Sequence, residues 1–104
     1  MVAKHKMTKI VYNTCYGGFG LSKTAIFRYW EIRSEIPPDD WHADEVNRSD
    51  PILVQVVEEL GDAAGDGFAK LAIRELETGT QYRIDEYDGM ENVMTVDDYE
   101  WSVA

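Results

Sequence analysis

Lys9-Ile-Val-Tyr-Asn-Thr-Cys-Tyr-Gly-Gly-Phe-Gly-Leu-Ser22 passes from a β-branched stretch through a glycine-rich turn to a residue that caps helices well. Ile10, Val11 and Tyr12 carry strand propensity, which predicts a strand over 8–14. Residues 15–21 form the loop, and Ser22 opens a helix over 22–34 with Ile26, Phe27, Trp30 and Arg33 at helical spacing. Strand, flexible loop and helix N-terminus in that order set several backbone N–H groups around one point. That geometry suits an anion such as phosphate.

Pro37 and Pro38 stop the first helix, because proline lacks the N–H and disfavours helix at the residue before it. Residues 37–47 read as an acidic, exposed connection from which Trp41 folds back onto the body. A second helix follows. Asp50 is its N-cap, Pro51 fits its first position and Gly61 its stop. Between them Ile52, Leu53, Val56, Val57 and Leu60 make one apolar stripe. Residues 68–77 and 80–87 alternate apolar and polar positions across Thr78-Gly79, which predicts a β-hairpin with one wet face. Asp88-Gly89 is a second tight turn, and Val93, Met94 and Val96 add a short edge strand. The expected architecture is α+β: two helices packed on a small, mostly antiparallel sheet with a C-terminal β-hairpin. One domain over 8–96 is expected, with 1–7 and 97–104 as flexible or loosely docked termini.

The chain has 104 residues, 44% of them hydrophobic, enough for one modest core. Cys15 is the single cysteine, so no internal disulfide forms and a reducing, cytoplasmic setting is expected. No apolar run reaches membrane-spanning length, and no apolar segment follows Lys4, His5 and Lys6 to make a signal peptide. The net charge is -10 and unevenly spread. Residues 1–34 hold six basic side chains and one acid; residues 35–104 hold four basic side chains and nineteen acids. Direct nucleic-acid binding is disfavoured, and the acidic part reads as a solvated surface or as a face that mimics nucleic acid.

Gly17-Gly-Phe-Gly-Leu-Ser-Lys-Thr24 approaches the nucleotide-binding pattern G-x-x-x-x-G-K-[ST], but Ser22 stands where the last glycine must let phosphate approach the backbone. The dinucleotide pattern G-x-G-x-x-G fails at Lys23. Two readings of the loop remain open: glycines that permit tight strand-to-helix packing, or a cradle for a small ligand. Cys15 reads as a small buried residue at a strand end. As a nucleophile it needs a base, and His5 and His42 are the only histidines. Those residues lack metal-ligand spacing, and the acids Asp85, Glu86, Asp88 and Glu91 lack that of a calcium loop. No catalytic residue, metal or cofactor is expected. The candidate ligand-binding set is Asn13, Thr14, Cys15, Tyr16, Gly17, Gly18, Phe19, Gly20 and Ser22, joined by Arg48 and Asp50 at the start of the second helix. Arg48 either reaches a ligand oxygen there or pairs with an acid in the connecting loop.

The loop quoted first, the segment Arg48-Ser-Asp-Pro-Ile-Leu-Val-Gln-Val-Val-Glu-Glu-Leu-Gly61 and the segment Ile84-Asp-Glu-Tyr-Asp-Gly-Met-Glu91 together resemble a family of small proteins encoded by tailed bacteriophages and some giant viruses. The resemblance covers most of residues 8–96 and implies a viral accessory protein. The function expected from the residues is non-catalytic binding of a small anionic ligand, with a nucleotide signal of host defence as the implied cargo. The alternative is an acidic protein–protein inhibitor of a host nucleic-acid-binding enzyme. A homo-oligomer is compatible with either.

Overall fold

The computed structural model describes residues 6–96. In chain order they form β1 (Met7–Asn13), α1 (Lys23–Arg33), a 3-10 turn at Ala43–Glu45, α2 (Pro51–Leu60), a second 3-10 turn at Gly61–Ala63, then β2 (Leu71–Glu77), β3 (Tyr82–Tyr87) and β4 (Met90–Thr95). The fold is α+β, as expected. The expectations for residues 1–5 and 97–104 lie outside the described residues.

The strands make two antiparallel pairs. β1 pairs with β2 from Met7 opposite Glu77 to Asn13 opposite Leu71. β3 pairs with β4 from Tyr82 opposite Thr95 to Tyr87 opposite Met90. The C-terminal hairpin is therefore 82–95, closed by Asp88-Gly89, and not the 68–87 hairpin expected across Thr78-Gly79. Turn chemistry explains the difference. Asp88 and Gly89 both have positive φ (51° and 88°), the requirement of the two-residue turn that matches strand twist. At the other turn only Gly79 does (φ 98°), and the Thr78 N–H donates to the Lys6 carbonyl at 2.8 Å, which keeps Thr78 in register with β1 rather than in a hairpin with 80–87.

Ile10 and Val11, adjacent and pointing to opposite faces of β1, are both fully buried. Val11 joins the larger core with Tyr29 and Trp30 of α1, Leu53, Val56 and Val57 of α2, and Leu71. Ile10 joins Leu76 and Val93 under the hairpin. The β1–β2 pair is thus a middle layer, helices on one side and hairpin on the other. The Arg74 guanidinium reaches across to the Val93 carbonyl and fastens the hairpin.

Both helices are capped as their sequences predict. The Ala25 N–H donates to Ser22 Oγ at 3.1 Å, and the Ile52 N–H to Asp50 Oδ1 at 2.8 Å. α1 ends on Ser34 in the left-handed region (φ 56°). The stripe of α2 is buried at Leu53, Val56 and Val57 as expected, and Val54 is buried too, while Ile52 and Leu60 are half-buried. α1 is turned from the expected face: its buried residues are Ala25, Tyr29 and Trp30, and Phe27 stands 69% exposed. Its rotation is held by the Tyr29 hydroxyl, which donates to Asp50 Oδ2 at 2.7 Å, and by Arg28, which grips Glu59 of α2 at 2.9 Å. Burial, with the Asp50 carboxylate beside it, pushes the Tyr29 hydroxyl above its ordinary range. Trp41 folds back as expected, stacking on Tyr29 (6.1 Å between centroids, 18° between planes) and meeting Trp30 edge-on at 5.2 Å.

Candidate functional site

The glycine loop leaves β1 at Asn13, the fully buried amide that organises it. Asn13 Nδ2 donates to the carbonyls of Cys15 (2.6 Å) and Gly89 (2.8 Å). Its Oδ1 accepts from the N–H groups of Cys15 (3.1 Å) and Lys70 (3.0 Å). One side chain therefore joins the loop to the start of β2 and to the hairpin turn. Satisfying all four bonds is what allows a polar group to sit there.

Other segments close around the same loop. A side chain at Gly17 would overlap the backbone and Cβ of Phe68, and one at Gly89 would overlap the Tyr16 carbonyl. Close approach demands glycine at both positions. Thr14 Oγ1 donates to the Lys70 carbonyl at 2.9 Å. Ser22 Oγ caps α1 and donates to the Ala63 carbonyl at 2.7 Å. Asp66 lies against Gly20.

Arg48, just before the cap of α2, does reach the loop. Its guanidinium carbon lies 3.5 Å from the centroid of the Phe19 ring. Its two terminal nitrogens grip the Glu91 carboxylate of β4 at 2.6 and 3.0 Å. Glu91 Oε1 also accepts the Asn13 N–H at 2.9 Å. The side chains of Arg48 and Glu91 are 16% and 8% exposed. The expected convergence of glycine loop, helix start and arginine is present, with a carboxylate of the protein itself where an anion was expected to bind. The acid partner that the other reading of Arg48 foresaw exists, but it lies on β4 rather than in the connecting loop. Glu91 is correspondingly turned inward instead of joining an exposed acidic cluster with Asp85, Glu86 and Asp88.

The predicted set divides in two. Asn13, Phe19, Gly20, Ser22, Arg48 and Asp50 are engaged in the interior or in capping. Cys15, Tyr16 and Gly17 face outward, with Thr14 and Gly18 partly covered. The exposure of Cys15 corrects its reading as a buried strand-end residue: β1 stops at Asn13, whose amide takes the interior place, and the chain then turns to solvent. One neighbour was not foreseen. Phe68, 72% exposed, lies against Gly17 beside Tyr16, itself 60% exposed, while Tyr87 at the end of β3 is 76% exposed. Tyr87 ends β3 as the alternation over 80–87 predicts, whereas Phe68 precedes β2, because period-two reading does not distinguish a strand residue from an exposed flank.

Among the described residues no group of three or more histidine, cysteine, aspartate or glutamate side chains is placed to hold a metal ion. None of their helices is long and apolar enough to cross a membrane. Comparisons with protein-family models, with curated proteins and with solved structures give no match.

Proposed function

We propose that the chain is a non-catalytic binding protein whose recognition face is the outer side of the glycine loop. The observation that carries this is the pair of largely exposed rings Tyr16 and Phe68, on two separate segments that meet at Gly17. Exposed aromatic side chains on a stiff frame are the groups that anchor flat ligands and partners. The frame here is stiff because Asn13 and the Arg48–Glu91 pair tie the loop, β2 and the hairpin together. Lys70, exposed and two residues beyond Phe68, supplies a cation at the rim.

A flat ring with an anionic group satisfies both features, which favours a nucleotide as the ligand class. Together with the family resemblance this gives a viral accessory protein that sequesters a nucleotide signal without converting it. Arg48 supports the face from beneath and is not a ligand contact in this reading. Calorimetric titration with a panel of linear and cyclic nucleotides tests it. Binding to at least one member is expected, and Tyr16→Ala or Phe68→Ala should weaken it by roughly 1–3 kcal/mol, the worth of one stacked base. A folded wild-type protein that binds no member of the panel would sink the reading.

The inhibitor alternative draws on one observation, the nineteen acids and four basic side chains of residues 35–104. It predicts affinity for a nucleic-acid-binding enzyme that falls steeply as salt is raised, with Tyr16→Ala having little effect.

A further inference from the structure

The charges around the aromatic face are few and unequal. Gly20 of the loop lies against the Asp66 carboxylate, whose Oδ1 also accepts the Phe68 N–H at 2.9 Å. This acid therefore sits on the same seam as Phe68, and among the described residues no basic side chain pairs with it. Asp88 is a second acid. It is exposed in the hairpin turn, and the next residue, Gly89, packs against the Tyr16 carbonyl.

Cations are scarcer. Lys70 is exposed, and its backbone bonds to Asn13 and Thr14 at the root of the loop. The Arg48 guanidinium against Phe19 is closed by Glu91, so that pair adds no net charge. Lys9 is tied to Glu58, and Lys23 belongs to an open groove along α1 with Phe27 and Trp30. Among the described residues around the loop, one available cation thus stands against two carboxylates, on a chain of net charge -10. A phosphodiester carries a single negative charge, a terminal phosphate up to about two and a triphosphate roughly four. Lys70 balances the first of these; every further charge meets the two acids and the field of the whole chain. Those repulsions act over a Debye length, about 8 Å at physiological salt, so they reach a phosphate anywhere on the face.

We infer that the face takes ligands with one negative charge per phosphate: bases carried on a phosphodiester, whether cyclic or linking two nucleosides, rather than nucleotides that end in a di- or triphosphate. Asp66 sets this limit, since its carboxylate lies against the loop and holds the Phe68 N–H. The inference rests on the nucleotide reading of the aromatic face and narrows it.

Calorimetric titration of the full chain with the cyclic monophosphate, the monophosphate and the triphosphate of each common nucleoside tests it. A chelator is present throughout, so that no metal ion lowers the phosphate charge. For the base that binds best, the cyclic form is expected to bind about tenfold or more tightly than the triphosphate at low salt, with the monophosphate between. Raising the salt should narrow that gap, because repulsion is screened and stacking is not. Asp66→Asn should narrow it severalfold through a gain for the triphosphate, since asparagine keeps the Oδ1 acceptor for the Phe68 N–H and drops the charge. Asp88→Asn should act in the same direction, and asparagine tolerates the positive φ of that position (51°). A triphosphate that binds as tightly as the cyclic form overturns the inference and leaves the aromatic face standing. So does a gap that neither asparagine variant changes in a folded protein. Failure of every ligand to bind, at low salt and at high, overturns the aromatic-face reading and this limit with it.

Discussion

Arg48 and Glu91 show how a single pair decides what a neighbourhood is for. A buried guanidinium with a free fork invites an anion; one closed by a carboxylate at 2.6 and 3.0 Å on the protein itself is structural. Deleting one partner leaves the other charge buried and unmatched. Arg48→Ala is therefore expected to lower stability in urea unfolding by about 3–5 kcal/mol, far beyond the effect of a surface ion pair. Glu91→Ala should be comparably costly, because the Asn13 N–H loses its acceptor as well. The double variant should cost clearly less than the two single losses combined. Strict additivity would mean that the pair is not coupled. Asn13 belongs to the same class of residue: fully buried, polar, and tolerated because each of its hydrogen-bonding groups is met.

The packing of α1 against α2 has its own signature, and it is electrostatic at the rim. Arg28 donates to Glu59 through Nε at 2.9 Å and Nη2 at 3.2 Å, while Gln55 donates to the same carboxylate at 3.0 Å. These bonds, Arg28 first, hold the Glu59 carboxyl down to about 2. A carboxyl whose folded pKa is depressed stabilises the fold above its unfolded pKa, and that contribution fades as pH falls through the folded value. Its window thus runs from the ordinary 4.5 down to about 2. Glu59→Gln is expected to lower stability at neutral pH and to flatten that stretch of the stability–pH curve, measured by thermal melts in acid. An acid limb of unchanged slope would show that the pair contributes nothing. Because the group is exposed, the effect should also shrink as salt is raised.

Taken as a whole, the molecule has an uneven architecture. β1 is buried on both faces, at Ile10 and Val11, and sits between two clusters. The hairpin rests on only the smaller one, and no residue of β3 is fully buried. Local opening should follow this division. Hydrogen exchange is expected to be slowest at the ladder amides of β1 and in the middle of α2. In β3 it should be faster by on the order of 100-fold, through an opening that leaves the β1–β2 pair intact. Equal protection in the two strand pairs would mean that the layers open only together. Polar ties run against this division: Arg48–Glu91 pins β4 to the residues before α2, Arg74 holds the Val93 carbonyl and Asn13 the Gly89 carbonyl.

Much of this structure follows from local chemistry and is legible in the chain alone. The α+β class, the caps at Ser22 and Asp50, the stop at Gly61 and the return of Trp41 rest on near neighbours or on the dislike of a large ring for water. What lay beyond reading was decided by partners distant in sequence. Residues 68–77 look equally ready to pair with 80–87 or with β1. Only the positive φ at both Asp88 and Gly89, together with the cover that β2 gives β1, selects the observed ladders. Phe27 lies on a plausible core stripe until the Tyr29–Asp50 and Arg28–Glu59 bonds fix the rotation of α1 and turn it outward. The closing of Arg48 by Glu91 joins residues separated by 43 positions, and no spacing rule spans that distance. Backbone propensity and capping act within a turn or two of chain, whereas the pairing of strands, the rotation of a helix and the neutralisation of a buried charge are settled only when the layers meet.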